Sequence, residues 1–425
     1  MKIMEKLQAI KGTYDILPED SVIWQYIEDN IRGICELYGY GEIRIPVFEN
    51  TALFARGVGD TTDVVQKEMY TFTDKGNRSI TLRPEGTSGV VRSVLEHSLL
   101  SGALPLKMYY NLTCYRNEKP QAGRYREFRQ FGVEAFGSSD NSIDAEIISL
   151  AVTFLKRMGL KGLKVKINSI GCPSCRAEYN KALKAYLGEH LADLCPTCNT
   201  RFEKNPMRII DCKEEKCKKA SAGAPRLLNY ICDECKEHFE GLKDNLELME
   251  IAFEIDSDIV RGLDYYTKTV FEITSDDLGA QSTVCGGGRY DGLVEQLGGQ
   301  PTPGIGFGLG IERLIMCMKA QGVEIPGRKP QKIFVCNMGE NAKNYVIKLT
   351  NDLRQKGISA SCDNMKKSLK AQMKYADKIG FEYTAIVGDN EIETGMVNLK
   401  NMATGENTEL KISEIATFLK GGENI

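Results

Sequence analysis

Three arginines, Arg116, Arg124 and Arg126, surround the polar loop NEKPQAGRY. Planar guanidinium groups at a turn can hold phosphate in bidentate fashion, although arginine-rich loops are more often simply solvated. The segment that follows, EFRQFGVEAF, places Phe128, Gln130, Gly132 and Glu134 on one strand face by period two. A glutamine and a glutamate aligned there suit a pocket for a polar, cationic ligand. A solvated outer face is the plainer alternative, weakened by the interleaved Phe128 and Gly132. Further on, VRGLDYYTKTVFEI sets Arg261 beside Gly262, ahead of Asp264, Tyr265 and Tyr266. If that stretch is extended, the two tyrosines point to opposite faces and at most one lines a given pocket. In STVCGGGRYDGLVEQLGG, three glycines bring backbone close to something before Arg289 and Tyr290. GIGFGLGIER then has glycine at every second position, a flat floor on which an adenine ring could lie. A helix starting just after it puts Arg313 near an N-terminus, where phosphate is favoured. Neither GxxxxGK[ST] nor GxGxxG occurs, so a nucleotide site here is of another design.

The thiols form a second group. Cys172-Pro173-Ser174-Cys175, Cys195-Pro196-Thr197-Cys198 and Cys232-Asp233-Glu234-Cys235 are CxxC knuckles, with Cys212 and Cys217 between them. Knuckles so spaced match structural Zn2+ sites, two of them or one with cysteines to spare. A cluster without metal is the alternative, but exposed clustered thiols are an oxidation liability. A third feature is the run Lys366, Lys370, Lys374 and Lys378, at i+4 spacing, opposite Leu369, Met373 and Ala376. A solvated helix face is the common reason for such a stripe.

These groups need scaffolds. Apolar residues make up 42% and charged residues 27% of 425, an ordinary globular composition with room for several cores. Net charge is −3, so contact with nucleic acid must come from local basic patches. With 3 histidines, a histidine-centred triad or catalytic metal site is disfavoured. No apolar run reaches the roughly 20 residues that cross a bilayer, and the opening MKIMEKLQAIKGTYD is too polar for a signal peptide. A cytoplasmic protein with no membrane association is expected. Helical spacing of Val22, Ile23, Ile27, Ile31, Ile34 and Leu37 predicts a first helix; Ile43, Ile45 and Val47 then alternate as in an edge or interface strand containing Pro46. Strands are expected over 106–116 and 127–136, with a helix from about Ser142 to Met158. Strand-like text resumes at 251–274, a helix begins at IERLIMCMKAQG, and 322–331 makes a linker. Beyond the linker, strands and helices alternate, one helix starting at Lys366. The expected fold is an α+β catalytic core built on an antiparallel sheet (1–168 and 251–325). It carries a small Cys-rich insertion domain (169–250) and a C-terminal α/β domain (331–425).

KGTYDILPED, GYGEIRIPVFE, TLRPEGTSG, YRNEKPQAGRYREFRQFGVEAFG and GIGFGLGIERL together resemble class II aminoacyl-tRNA synthetases. RGLDYYTKTVFE and GGGRYDGLVEQLGG are similar to the two signatures of the histidyl-tRNA synthetases, and the likeness covers nearly the whole chain. The resemblance implies ligation of L-histidine to tRNA(His) through histidyl-adenylate, with ATP and Mg2+, by a homodimer. It implies that Arg116 binds the α-phosphate and Arg313 the γ-phosphate, with Glu118 near the adenine. It assigns Glu85, Thr87 and Gln130 to the α-amino group of histidine. Glu134 and Tyr266 would read the imidazole, with Tyr265 nearby, and Arg261 would be the catalytic arginine. The second class motif commonly has arginine where this chain has Lys119, which therefore stays outside the expected site. The 331–425 domain resembles an anticodon-binding domain, which turns the lysine stripe and Arg124 into candidate tRNA contacts. Two rivals stand beside this reading. One is a regulatory paralogue without ligase activity, disfavoured by Arg116, Arg261, Arg313 and the complete tail. The other is a zinc-knuckle RNA-binding module, which leaves the ATP-site motifs without purpose.

Overall fold

Alternation over 106–116 and 127–136 is realised as a long antiparallel pair in the computed structural model, which describes residues 6–59, 62–212, 214–277, 283–327 and 329–421. Two units are separated within the expected linker, Met1–Ile325 and Pro326–Ile425. In chain order the strands of the first are β1 (Gly41–Glu42), β2 (Phe48–Asn50), β3 (Thr71–Thr73), β4 (Ser79–Leu82), β5 (Leu106–Tyr115), β6 (Glu127–Phe136), β7 (Lys164–Ser169), β8 (Phe253–Ile255), β9 (Thr267–Thr274), β10 (Thr283–Arg289) and β11 (Gly304–Gly310). The main sheet runs β1-β5-β6-β11-β10-β9-β7-β8, and β2-β4-β3 form a small second sheet. Main-sheet pairs from β5 across to β7 are antiparallel; the edge pairs β1–β5 and β7–β8 are parallel.

One face of the main sheet is covered by helices. Ile27, Ile31 and Ile34 of the helix Ser21–Leu37 and Ile147, Ile148 and Phe154 of Asn141–Arg157 pack with Leu242 and Leu246 of Asp233–Leu248 and with Leu314 of Ile311–Ala320. They meet Phe131, Val133, Phe271, Ile305 and Phe307 of the strands. Each such side chain contributes about 1.5–3 kcal/mol on burial, which fixes the register of the central strands. The opposite face is different. Tyr110, Gly132, Gly308, Gly286 and Glu272 lie in one cross-strand row from β5 to β9, and Met108, Glu134, Gly306, Gly288 and Val270 in the next. A lane of glycines therefore runs across three strands of this opposite face.

The strand expected over 43–47 does not form. Only Gly41–Glu42 pair with β5, and β2 begins at Phe48. Pro46 has no N–H for a ladder, and the carbonyls of Ile45 and Pro46 accept instead from the Arg83 guanidinium, at 2.6 and 2.9 Å.

The Cys-rich stretch lies between β7 and β8 and is helical. Pro173–Gly188, Pro196–Lys204 and Asp233–Leu248 each begin directly after the first cysteine of a knuckle, which serves as the N-cap. Proline is tolerated at the first position of two of them because its missing N–H would have no helical partner there.

The second unit adds β12 (Ile333–Asn337), β13 (Ala360–Cys362), β14 (Tyr383–Val387), β15 (Met396–Asn401) and β16 (Asn407–Lys411), in the order β13-β12-β14-β15-β16. Helices Glu340–Gln355 and Leu369–Ile379 accompany them. The latter starts three residues later than expected, because Lys366 has a left-handed backbone (φ 54) ahead of it. The lysine stripe on this helix is therefore Lys370, Lys374 and Lys378, all exposed. Lys366 instead lines a hollow with Lys343 and Lys367. Among the described residues no helix is long and apolar enough to cross a membrane.

Candidate active site

The glycine lane is the floor of two adjoining cavities of about 380 and 190 Å³. Arg116, Gln130, Arg261, Gly286 and Gly308 line both. The larger also takes in Glu118, Arg124, Phe128, Glu312 and Arg313; the smaller takes in Glu85, Thr87, Tyr110, Tyr265, Tyr266 and Tyr290. Glu118 and Arg313, expected at ATP, are thus sorted from Glu85, Thr87, Tyr265 and Tyr266, expected at histidine, while Arg116, Gln130 and Arg261 are shared.

Local structure explains the sorting. The glycines are needed less as a flat floor than as gaps through which side chains pass. A Cβ at Gly306 would fall 2.0 Å from Glu134 Oε2, one at Gly308 2.6 Å from Gln130 Nε2, and one at Gly286 2.6 Å from Arg261. Tyr290 occupies the same kind of gap over Gly304, while Gly310 has nothing nearer than Arg313 at 3.8 Å. The adenine platform read from the alternation is therefore largely filled by the protein's own polar groups.

Glu134, expected in the site, lines neither cavity: it is buried behind Thr87, Tyr290 and Gly306 of the smaller one, accepting from Thr87 Oγ1 at 2.7 Å and from the Tyr290 hydroxyl. Burial pushes its carboxyl up to about 8, against the two hydroxyl hydrogen bonds, and Glu85 nearby adds to the rise. Glu85 accepts from the backbone N–H groups of Thr87 and Ser88 at 2.6 and 2.9 Å, tying it to the start of the helix Thr87–Glu96. Gln130 Oε1 accepts from Gly86 N–H at 3.1 Å, which joins β6 to the same turn. Tyr265 and Tyr266 both line this cavity, with ring centroids 4.7 Å apart. The expectation that only one could do so fails because Asp264 and Tyr265 form a turn and β9 starts at Thr267.

At the junction stands Arg261. It donates to Glu272 Oε1 at 2.6 Å, its guanidinium lies 5.6 Å from the Tyr266 ring centre, and its Nε is buried without a hydrogen-bond partner among the described residues. A buried cationic donor left unmatched costs free energy that a bound anion would recover. Arg116 is held through Nε to the Pro84 carbonyl at 2.9 Å and lies over Phe128. Glu118 accepts from Arg124 at 3.2 Å. Burial holds the Arg313 guanidinium below its usual range, and Arg124 adds to that. Arg126 is diverted to backbone, donating to the carbonyls of Glu118 and Lys11, and does not line the cavity.

Two residues that orient others in the site escaped sequence reasoning. Glu272 steers Arg261, and its only signal is that it shares the strand face of Val270. Tyr290 holds Glu134, and nothing short of the fold places them together.

Because the unfolded carboxyl of Glu134 titrates near its ordinary value of about 4.3, the native state holds an extra proton between there and about 8. Stability should therefore fall as pH rises through that interval, and Glu312, pushed up to about 7 by burial, acts in the same sense. Glu134→Gln should lose the Glu134 share, so its urea midpoint falls less than that of the wild type between pH 5.5 and 8.5. Identical pH slopes for the two proteins would refute the assignment.

The thiols fall into two separate groups of four, Cys172, Cys175, Cys232 and Cys235, and Cys195, Cys198, Cys212 and Cys217. Within each, the sulfur atoms lie within 4.8 Å of one another, and all of these cysteines are free of disulfides. Each group could hold a metal ion.

An antiparallel floor bearing arginines, with no phosphate-binding glycine loop, is the build of a class II aminoacyl-tRNA synthetase core. A family model described as histidyl-tRNA synthetase matches residues 12–194 and 204–314, and one described as an anticodon binding domain matches 332–421. A histidine–tRNA ligase of Acetivibrio thermocellus is 61% identical over 97% of this chain and 99% of its own. The crystal structure of apo S. aureus histidyl-tRNA synthetase superposes with a TM-score of 0.85 at 40% identity, covering 98% of this chain and 100% of that one. A Bacillus halodurans structure described as an ATP phosphoribosyltransferase regulatory subunit/histidyl-tRNA synthetase, at 23% identity and a TM-score of 0.63 over 91% and 98%, shares the fold. The chain belongs to the histidyl-tRNA synthetase family.

Proposed function

We propose that this protein is a histidine–tRNA ligase that activates L-histidine with ATP, releasing pyrophosphate, and then transfers histidine from the adenylate to the 3′ end of tRNA(His). The observation that carries the reading is Arg261, a partly buried guanidinium with a buried Nε, shared by an anion-suited cavity and a cation-suited one. Histidine would sit in the smaller cavity, its α-amino group at Glu85, Thr87 and Gln130. Glu134 and Tyr266 would meet the imidazole nitrogens, with Tyr265 beside them. ATP would occupy the larger cavity, with Arg116 on the α-phosphate, Arg313 on the γ-phosphate and Glu118 near the base. Mg2+ would neutralise charge on the departing pyrophosphate.

The chemistry asks for positioning more than proton transfer. The histidine carboxylate attacks the α-phosphorus, and charge accumulates on the non-bridging oxygens. Arg261 and Arg116 are placed to bind it where it grows. A site that hydrogen-bonds an imidazole rejects other amino acids because its buried polar groups would be left unpaired.

A single Zn2+ fits each thiol group. Zn–S bonds of about 2.3 Å in a tetrahedron set sulfur–sulfur edges of about 3.8 Å. The Cys172–Cys175 and Cys195–Cys212 edges are 3.5 and 4.0 Å. Backbone N–H groups of Cys195 and Cys232 point at the sulfurs of Cys217 and Cys175, both at 3.1 Å, an arrangement that favours thiolate. The role would be structural, stapling a short helical insertion. Arg124 on the core and Lys366, Lys370 and Lys374 on the second unit are suited to tRNA phosphates. We place the enzyme in the cytoplasm as a homodimer.

Histidine-dependent ATP–pyrophosphate exchange tests the reading. Exchange that requires histidine, followed by charging of the cognate tRNA, is the expected result. A folded wild type that binds histidine and exchanges nothing would mark the regulatory paralogue instead.

A further inference from the structure

The second thiol group stands close to the larger cavity, and the residues strung between its ligands explain why that matters. From Cys198 to Cys212 the insertion runs as the end of the helix Pro196–Lys204 and the turn Pro206–Ile209. Three polar side chains of this stretch leave the insertion for the core. Arg201 donates to Asp63 Oδ2 at 2.9 Å, and Arg208 lies 3.6 Å from the same oxygen. Asn205 donates to Asp264 Oδ1 at 2.9 Å. Their partners are not arbitrary. Asp63 adjoins Val64, which lines both cavities, and Asp264 sits between Arg261 and Tyr265.

Arg208 itself lines the larger cavity together with Arg116, Arg124 and Arg313, and its side chain is 13% exposed. Two guanidinium groups thus meet one carboxylate at Asp63. Further support for the turn is short-range: Met207 and Ile209 pack into the same core as Cys198, Cys212 and Cys217. A one-turn element of this kind has little stability of its own, so a metal held by these four thiols would fix its geometry.

We propose that Arg208 is a further ATP-binding residue, supplied by the insertion and held in the nucleotide cavity by metal at Cys195, Cys198, Cys212 and Cys217. The metal half of this inference rests on the zinc reading above; the Arg208 half does not.

The test uses the full chain, with metal content measured by atomic emission and exchange kinetics recorded against ATP and histidine separately. Arg208→Ala should raise KM for ATP about tenfold, the effect of one charge-assisted hydrogen bond, with KM for histidine and the thermal midpoint unchanged. Arg208→Lys, which keeps the charge, should recover part of the loss. The double variant Cys198→Ser/Cys212→Ser should lose one of two zinc equivalents and raise KM for ATP by a similar factor. Adding Arg208→Ala to it should then change little more. A wild-type KM for ATP in Arg208→Ala would overturn the proposal. A thiol variant that loses its zinc yet keeps its KM for ATP would overturn the link to the metal. Wild-type protein without zinc would refute the metal reading and leave Arg208 to be decided by its own variants.

Discussion

Arg261→Ala is expected to lower histidine-dependent pyrophosphate exchange by about a hundred- to a thousandfold, the loss typical of removing one preorganised donor to a developing oxyanion. The residue is well placed for so large an effect. Its guanidinium is aligned by Glu272, which is itself braced by Thr283 Oγ1 at 2.8 Å, so the orienting chain is complete before any substrate arrives. The gap left by Gly286 lets it lie across the sheet, where any other residue would collide with it. Because little of this binding is available in the ground state, the loss should appear in kcat more than in KM. Arg261→Lys keeps the charge but loses the fork that meets Glu272 with one edge and the cavity with another, and should recover only a small part. Steady-state exchange with both substrates varied decides the matter. An alanine variant within tenfold of wild type would remove Arg261 from the chemistry.

The sequence carried the two strands at 106–116 and 127–136, and their alternation alone put Gln130 and Glu134 on one face. The helix starts at the knuckles went unread, although Cys-Pro in two of the three is a helix entry as well as a metal spacing. What the sequence could not carry was anything that depends on one strand lying beside another. The glycines of GIGFGLG look like a platform in isolation. Only the register against β6 reveals that they make way for Gln130 and Glu134. Tyr265 and Tyr266 were misjudged for a local reason, because alternation was extended across a turn. The strand expected over 43–47 failed at Pro46, where the spacing of Ile43, Ile45 and Val47 outweighed the missing N–H in the reading. Arg208 gave no signal, since nothing in RFEKNPMRII distinguishes an arginine that reaches another part of the fold.

Arg289 shows the same limit in the opposite direction. It follows three glycines in a segment that looks like a ligand loop, yet it faces away from the site and is fully buried. All of its donors are used: Nε and Nη2 reach Asp144 at 3.1 and 2.6 Å, Nη2 also reaches the Asp140 carbonyl at 2.9 Å, and Nη1 reaches Ser138 O and Asp291 at 3.0 and 3.1 Å. Asp144, also fully buried, takes a further hydrogen bond with His238 at 2.8 Å, so β10, the helix Asn141–Arg157 and the helix Asp233–Leu248 meet at one carboxylate. Removing one partner of such a pair strands the other as an uncompensated buried charge. Arg289→Ala should therefore destabilise the first unit by about 3–5 kcal/mol. That is comparable to the loss of about 3–5 kcal/mol expected from truncating a large aromatic side chain in the core. Replacing both partners, as in Arg289→Met/Asp144→Leu, should cost less than the sum of the single changes, because neither charge is then left alone. Urea unfolding of the single and double variants measures this directly. A destabilisation below 1 kcal/mol in Arg289→Ala would mean that water or a shifted neighbour replaces the guanidinium, and the junction would lose its structural role. The same substitution separates stability from catalysis: Arg289 touches neither cavity, so the folded fraction of the variant should exchange pyrophosphate with a KM for ATP close to that of the wild type.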